Sequence, residues 1–254
     1  MSEQKTNSKP FYITTAINYT NGDPHVGHVY EAVFTDTIAR YHRFFGEDVF
    51  FLTGTDEHGQ KIATKAETLG ITPRELCDKY SNAFKTLNTK LQISNNHFIR
   101  TTTEEHHKNA QQLWNLCKSN GDIYLSDYTG WYNIKEETFV SDKDAKDHDY
   151  KDPDTKIAYT KISEPSYFFR LSNYKDRIID HIKSNPTFIQ PDSYKNSVLK
   201  RLENPENELR DLSISRTSFE WGVPVPDDSE HVMYVWFDAL SNYLTALGGL
   251  EDDN

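Results

Sequence analysis

Apolar and polar positions follow two alternating periods along the first half of the chain. Short runs rich in β-branched and aromatic residues predict strands at 11–17, 48–53 and 97–100. Apolar residues at three- and four-residue spacing predict the helices that lie between and after these strands. The predicted helices span 25–45, 59–69, 73–91 and 104–120, with a loop at 18–24 before the first. Strands that alternate with helices predict a parallel sheet with right-handed crossovers.

The pattern changes from Asp122 onward. Aromatic, alternating segments predict antiparallel strands at 123–131 and 131–139. The stretch 141–156 is charged, poor in apolar residues and contains Pro153, so we expect an exposed, mobile excursion there. Regular structure is expected to resume with strands and helices at 167–171, 175–183, 194–202, 211–216, 231–237 and 239–247.

The composition and charge of the chain exclude several classes of protein. The chain has 254 residues, of which 36% are hydrophobic and 13% aromatic, which is typical of a packed globular protein. No run of 18 apolar residues occurs, so no transmembrane helix and no membrane partner are expected. The two cysteines, Cys77 and Cys117, do not form a CxxC pair, so no structural zinc and no zinc knuckle are expected. The net charge of −11 disfavours non-specific nucleic-acid binding.

The segment His25-Val26-Gly27-His28 follows the first predicted strand and opens the first predicted helix. The N–H groups and partial positive charge of a helix N-terminus attract phosphate. A glycine there lets an adenine ring approach the backbone, and two imidazoles can donate hydrogen bonds to phosphate oxygens. Two histidines near a helix start are, however, often ordinary surface or capping residues. The motif in isolation therefore indicates a nucleotide site without establishing one.

Two further motifs follow predicted strands. The first is GTDEHGQ, residues 54–60, at the carboxyl end of the second strand, where open parallel sheets bind ligands. Asp56 there can hold an ammonium group, although it could equally cap the next helix. The second is YVWFDAL, residues 234–240, at another predicted strand end. Trp236 in this motif can serve a site or simply belong to the core.

Together these segments resemble methionyl-tRNA synthetase, a class I aminoacyl-tRNA synthetase. HVGH resembles the HIGH motif of class I enzymes, and GTDEHGQ and YVWFDAL resemble two family segments. The segments FIRTT at 98–102, GWY at 130–132 and DLSISR at 211–216 occur in the family's order, so the resemblance covers about residues 11–250. Among the branches of the family, the chain is most similar to the zinc-free one found in mitochondria and some bacteria.

The resemblance implies a fold, a reaction and a set of site residues. The fold would be α/β, a class I Rossmann-like parallel sheet of the HUP type that is interrupted by an inserted α+β connective module. The reaction would be ATP-dependent activation of L-methionine and its transfer to tRNA(Met), with Mg²⁺ accompanying ATP. His25, Gly27 and His28 would bind ATP, and His25, His28 and Arg216 would act in catalysis. Methionine would be bound by Ile17, Tyr19, Asp56, Trp236, Ala239 and Tyr243.

The resemblance also implies a division of the chain. Residues 1–10 would be a flexible tail, 11–118 the first half of the catalytic domain, 119–210 the connective insertion and 211–254 the start of the second half. Two departures matter. Asn18 stands where the family commonly has an aromatic residue or proline, which bears on the shape of the pocket. The family's KMSKS loop and anticodon-binding domain do not occur, so we expect an N-terminal fragment that is inactive or nearly so by itself.

Three alternatives stay open on the sequence. The first is another class I synthetase, for isoleucine, valine, leucine or cysteine. The second is a synthetase-derived binding or structural protein without catalysis. The third is a small nucleotidyltransferase with the same strand–HxGH–helix site. The branch resemblance predicts a location in the mitochondrial matrix. The cytoplasm is the alternative, since the first ten residues lack the arginine of a typical transit peptide and the apolar core of a secretory signal.

Overall fold

A computed structural model describes residues 9–133, 138–140, 142–205 and 208–250. The described residues divide into two compact units. The first unit comprises 9–114 and 218–250, and the second comprises 115–133, 138–140, 142–205 and 208–217. The predicted insertion, 119–210, falls within the second unit, which is longer by a few residues at each end.

The first unit is built on a parallel sheet of three strands. In chain order its first elements are β1 Pro10–Tyr19, α1 Val26–Phe44, β2 Asp48–Asp56, α2 Gln60–Leu69, α3 Pro73–Lys90 and β3 His97–Arg100. Helix α4, Glu104–Ser119, follows, and its residues from Asn115 onward are assigned to the second unit. Strand β2 lies between β1 and β3 and pairs with both in parallel. The predicted α/β fold with a parallel sheet is therefore confirmed.

Strands β1 and β2 are both longer than predicted. Strand β1 continues to Tyr19, where a loop was expected, and β2 continues to Asp56. Pairing explains the extension, because the register joins Ile17 to Gly54, Asn18 to Thr55 and Tyr19 to Asp56. A register shift between Thr14 and Ile17 precedes these pairs. Local sequence chemistry at 18–19 favours a loop, and the backbone hydrogen bonds of the neighbouring strand override it.

The end of the first unit differs from the sequence expectation. Strand β10, Asp228–Met233, pairs antiparallel with β9, Pro224–Val225. Helix α8 then runs over Val235–Thr245. The prediction of a strand over 231–237 is therefore wrong for its last residues. Val235, Asp238 and Ala239 are buried while Trp236 is exposed, a spacing of three and four that matches a helix.

The second unit contains a four-stranded antiparallel sheet and three helices among its described residues. Its elements are β4 Ile123–Asn133, β5 Thr138–Val140, α5 Asp142–Asp147, β6 Thr160–Phe169, α6 Lys175–Ser184, α7 Asp192–Glu203, β7 Leu212–Ser213 and β8 Ser215–Arg216. The sheet order is β5-β4-β6-β7. The predicted α+β character of the insertion agrees with this arrangement.

The charged segment 141–156 contains more structure than its sequence suggests. Helix α5 covers Asp142–Asp147, and Ala145 and Asp152 are buried. One carboxylate oxygen of Asp152 accepts hydrogen bonds from the backbone N–H groups of Asp154 and Thr155, and the other accepts from the Asn133 amide. These bonds hold the pKa of Asp152 at about 2. Most described residues of this segment are exposed, as predicted, but the segment is ordered around Asp152, which organises a turn around its own carboxylate.

Candidate active site

The carboxyl ends of β1 and β2 lie side by side at the edge of the sheet that carries the GTDEHGQ motif. Tyr19 and Asp56 are register partners at the last position of the two strands. The backbone N–H of Thr20 donates to the carbonyl oxygen of Asp56 at 3.1 Å. Both residues were predicted to bind one amino acid, and the parallel register places their backbones side by side. Asp56 does not cap the next helix, because the N-cap of α2 is Gly59.

His25 and His28 form a reciprocal cap at the start of α1. The backbone N–H of Gly27 donates to Nδ1 of His25, and the backbone N–H of His25 donates to Nδ1 of His28, both at 3.1 Å. The two rings stack with centroids 3.8 Å apart. This is a capping box in which imidazoles replace the usual hydroxyl and carboxylate. The histidines are therefore capping residues as well as candidates for phosphate binding.

The cap fixes which ring nitrogen carries the proton. A backbone N–H can donate only to a nitrogen with a free lone pair, so Nδ1 of both His25 and His28 is unprotonated in this geometry. Each neutral ring then carries its hydrogen on Nε2, which remains available as a donor. Burial and the neighbouring His25 lower the pKa of His28, while the charge of Glu31 opposes them. The first turn of α1 holds no acidic side chain, so its N-terminal dipole is available to an anion.

Two motif glycines lie in close contacts, and the contact at Gly54 is the tighter of the two. A Cβ on Gly27 would lie 3.0 Å from Cε1 and 3.1 Å from Nδ1 of His25, so a side chain there would displace the histidine ring. A Cβ on Gly54 would lie 2.2 Å from the carbonyl oxygen of Ile99 in β3. Gly54 therefore allows β2 and β3 to approach, a structural role that the motif pattern did not reveal.

Helix α8 packs against the end of β1 and brings further predicted residues together. Ile17 and Tyr19 pack on a cluster of Tyr234, Val235 and Ala239. Three of the predicted methionine-binding residues, Ile17, Tyr19 and Ala239, come from segments far apart in sequence and thus share one apolar contact region.

Tyr243 and Trp236 lie on the same helix. The Tyr12 hydroxyl donates to the carbonyl oxygen of Tyr243 at 3.0 Å, which fixes α8 along β1. Burial raises the pKa of Tyr243, with smaller contributions from the charges of Glu31 and Asp56. Trp236 is 54% exposed, so it is not a core residue of the first unit. Its exposure is consistent with a ring that is available to a ligand.

Arg216 lies in the second unit. It is buried, and its guanidinium donates to the hydroxyl oxygen of Ser213 at 2.8 Å and to the carbonyl oxygen of Ser215 at 2.6 Å. These contacts give it a structural role within that unit. Its predicted catalytic role stays a prediction.

Sequence reasoning missed two buried polar networks in the first unit. In one, both carboxylate oxygens of Glu57 accept from Arg100, at 2.7 and 2.9 Å. In the other, Asp238 accepts from His58 and from His106, each at 2.6 Å. The residues concerned are up to 180 positions apart in sequence, so no local pattern could have paired them.

No group of three or more His, Cys, Asp or Glu side chains that could hold a metal ion occurs among the residues the structure describes. Within the same residues, no helix is both long and apolar enough to cross a membrane.

Comparison with known proteins decides the family. The family model described as tRNA synthetases class I (M) matches residues 11–149 and 144–254, which is nearly the whole chain. This chain belongs to that family. The predicted resemblance to methionyl-tRNA synthetase is thereby confirmed.

Individual members of the family are also similar. The methionine–tRNA ligase of Brucella suis is 48% identical over 240 residues, covering 94% of this chain and 46% of the relative. That of Thermotoga maritima is 48% identical over 242 residues, covering 94% of this chain and 38% of the relative. This chain therefore spans about half the length, or less, of these curated relatives.

Solved structures agree with the sequence comparison. The crystal structure of the Mycobacterium tuberculosis methionyl-tRNA synthetase bound by methionyl-adenylate matches with a TM-score of 0.89 and 44% identity. The match covers 97% of this chain and 48% of that chain. The apo form of the same enzyme matches with a TM-score of 0.78 and 43% identity. These matches support the class I Rossmann-like fold predicted from the motifs.

Proposed function

We propose that this chain supplies the methionine pocket and the HIGH part of the ATP site of a methionine–tRNA ligase. The observation that carries the proposal is that the end of β1 lies beside segments from two motifs of the first unit. Tyr19 pairs with Asp56 at the sheet edge, and Tyr19 also packs against the cluster of Tyr234, Val235 and Ala239. His25 and His28 open the helix that follows β1. A carboxylate, an apolar wall and a phosphate-binding helix start suit an amino acid and ATP.

Each part has a defined chemical task in this proposal. Asp56 binds the α-ammonium group of methionine, and the backbone at Ile17 receives the same group. Tyr19, Trp236, Ala239 and Tyr243 surround the side chain, whose polarizable thioether suits aromatic contacts. Selectivity then rests on the fit of a linear chain, since each missing methylene is worth roughly 1–3 kcal/mol.

The reaction needs no protein nucleophile. The methionine carboxylate attacks the α-phosphorus of ATP, the bond to the bridging oxygen breaks, and methionyl-adenylate and pyrophosphate form. The acyl group then passes to the 3′-terminal adenosine of tRNA(Met) with release of AMP. Catalysis consists of alignment and of stabilising charge on the phosphates. His25 and His28 contribute Nε2–H donors and Gly27 leaves room for the adenine ring.

Magnesium is part of the proposal only as a companion of ATP. Mg²⁺ usually keeps several waters and binds substrate phosphates with one or two carboxylates. It would neutralise phosphate charge when bound. The residues of this chain that act on the same phosphates are His25 and His28.

A chimera tests the proposed function. This chain would replace the matched segment of the Brucella suis ligase, with which it is 48% identical. We expect methionine to drive exchange between ATP and pyrophosphate, and isoleucine, valine, leucine and cysteine to drive little. Exchange driven by one of those four would replace the assignment by another class I synthetase. A folded chimera that binds methionine but catalyses no exchange would favour the non-catalytic alternative.

The isolated 254-residue chain is expected to behave differently from the chimera. Without the KMSKS loop, which closes on the triphosphate in this family, binding gives little rate. We therefore expect methionine-driven exchange near the background in the isolated chain. Robust exchange by the isolated chain would overturn this part of the proposal.

We propose the mitochondrial matrix as the compartment, with the cytoplasm as the alternative. The support is the resemblance to the zinc-free branch alone, and the relatives compared above are bacterial. Microscopy of a fusion that carries a fluorescent protein at the C-terminus decides between the two. A diffuse cytosolic signal would overturn the mitochondrial assignment.

A further inference from the structure

A buried cluster of His58, Asp238 and His106 connects three separate elements of the first unit. His58 follows β2, His106 lies on α4 and Asp238 lies on the first turn of α8. Nδ1 of His58 is 2.6 Å from one carboxylate oxygen of Asp238, and Nε2 of His106 is 2.6 Å from the other. The side chains of Asp238 and His106 are fully buried, and that of His58 is buried almost as completely.

The chemistry of the cluster fixes its geometry. An ionised carboxylate only accepts hydrogen bonds, so both imidazoles must present an N–H to Asp238. Burial alone would raise the pKa of Asp238, but the charge of His58 and the hydrogen bonds from both histidines hold it below its ordinary range. The other groups around the cluster are His107, whose ring lies 5.2 Å from His58, Trp221, and Thr245, whose hydroxyl lies 3.3 Å from Nδ1 of His106. Short charge-assisted hydrogen bonds of this kind are strong and directional.

Each end of the cluster continues into a wall of the proposed pocket. On one side, the carbonyl oxygen of His58 accepts from the Tyr19 hydroxyl at 3.0 Å, and His58 follows Asp56 closely in the chain. On the other side, Asp238 lies between Trp236 and Ala239 in α8. A single carboxylate thus joins the residues proposed to hold the ammonium group to those proposed to hold the side chain.

We propose that Asp238 and His58 are positioning residues for methionine. They set the separation between Asp56 and the residues of α8 that are proposed to surround the methionine side chain. The inference rests on the proposed function, since it concerns the same pocket. A purely structural cluster would stabilise the unit without any preference for one substrate. A positioning cluster affects methionine binding selectively, because small displacements of ligand-binding groups weaken binding and alignment.

The experiment compares variants that keep or lose the hydrogen-bond donor. In His58→Asn the amide nitrogen takes the place of Nδ1, whereas His58→Leu has no donor. In His106→Gln the amide takes the place of Nε2, and His106→Leu again has none. The matched control is Asp36→Asn, which alters a buried carboxylate whose hydrogen-bond partners, Arg40 and Ser94, do not belong to this cluster. Equilibrium dialysis of the 254-residue chain measures the affinity for radiolabelled methionine and, separately, for ATP, and circular dichroism checks folding.

The expected result is a selective loss. His58→Leu weakens methionine binding by about tenfold or more, which corresponds to ~1.4 kcal/mol, and leaves ATP affinity unchanged. His58→Asn restores most of the affinity, and Asp36→Asn lowers thermal stability without affecting methionine binding. If His58→Leu does not fold, the His106→Gln and His106→Leu pair is judged by the same criterion.

Other outcomes overturn different statements. Equal methionine affinity in wild type and folded His58→Leu would overturn the positioning role, as would an equal loss of methionine and ATP affinity. Failure of His58→Asn to restore affinity would also overturn it. A folded wild-type chain that does not bind methionine would overturn the proposed function instead, before any variant is compared.

Discussion

Two pairs of histidines in the first unit use their nitrogen atoms in opposite ways. In the pair at the start of α1, exposed His25 and half-buried His28, which we call the exposed pair, Nδ1 accepts hydrogen bonds from backbone N–H groups. In the buried pair, His58 and His106, a ring nitrogen donates to Asp238. The first pair leaves its Nε2–H groups available at a helix start. The second pair donates its N–H groups to the carboxylate of Asp238, which is fully buried.

The contrast shows that the residue type alone does not assign a role. A histidine can act on a ligand only through a nitrogen that the protein has not already used. His25 and His28 keep such a nitrogen near the surface, so they are candidates for direct contact with phosphate, whereas His58 and His106 are buried and act through Asp238. The two pairs should therefore respond differently to substitution, the buried pair in stability and in methionine affinity, and the exposed pair in the rate of exchange.

The largest expected effect is on stability. Asp238→Ala leaves the N–H groups of His58 and His106 buried without their acceptor. Breaking a buried charged pair by removing one partner costs about 3–5 kcal/mol. We therefore expect the free energy of unfolding of the first unit to fall by about that amount, measured by urea denaturation followed by tryptophan fluorescence.

A surface carboxylate provides the comparison for Asp238. Glu67 is exposed on α2, and Glu67→Ala should change the free energy of unfolding by no more than about 0.5 kcal/mol. Similar losses for Asp238→Ala and Glu67→Ala would contradict the structural importance of the buried cluster.

The exposed pair should show the reverse behaviour. Asparagine is a good N-cap, so His25→Asn keeps a side-chain acceptor for the helix while removing the Nε2–H donor. Loss of one donor directed at developing charge costs about 2.7–4 kcal/mol of transition-state stabilisation. We expect His25→Asn in the chimera to slow pyrophosphate exchange by a factor on the order of 10²–10³, with the thermal midpoint nearly unchanged.

His25→Ala separates the two roles of this histidine. It removes both the donor and the cap, and loss of a cap costs roughly 1 kcal/mol of stability. Its exchange rate should match that of His25→Asn while its stability is lower. An active His25→Asn variant would show that His25 is only a capping residue.

Local periodicity predicted most of the fold. The parallel strands and the helices α1 to α4 follow from the spacing of apolar residues and from the motifs. The errors lie where tertiary pairing decides the structure. Strand β1 continues through Asn18 because β2 lies beside it, and Trp236 belongs to a helix because Asp238 and Ala239 are buried against other elements.

The residues of the candidate site that lie in recognisable motifs could be predicted from the sequence. His25, Asp56 and Ala239 could be named because each stands in a recognisable segment. The partners of Asp238 could not, since the carboxylate bonds one histidine from the end of β2 and another from α4. A single sequence does not show which distant residues are in contact, so such networks can be identified only from the three-dimensional structure.

A smaller effect is expected from the glycine beside the exposed pair. In Gly27→Ala, the new Cβ would lie 3.0 Å from Cε1 of His25, so the histidine ring must shift. Alanine favours a helix by about 1 kcal/mol over glycine, which offsets the weakened cap. We expect stability within about 0.5 kcal/mol of wild type and exchange in the chimera slowed by roughly tenfold, since a shift of about 1 Å can cost up to a hundredfold. Exchange at the wild-type rate would show that neither the His25 ring nor the space at Gly27 is needed.

The smallest effect is a dependence of stability on pH that differs between the two regions. Burial and the neighbouring His25 lower the pKa of His28 below its ordinary value of 6.5. Burial, and then the charge of His58, lower the pKa of His107 to about 4, with Asp238 opposing and His106 and Arg74 adding to the shift.

For both groups the unfolded chain binds a proton at a higher pH than the folded chain does. Their contribution to stability is therefore complete above about pH 6.5 and is lost as the pH falls below it. His107→Leu should flatten the decline in unfolding free energy between pH 6.5 and 5 more than His28→Asn does, because the pKa of His107 is lowered further. Urea titrations at several pH values measure both slopes. A steeper decline in either variant would mean that protonation stabilises the fold, which would contradict the cap geometry at His28 and the burial of His107.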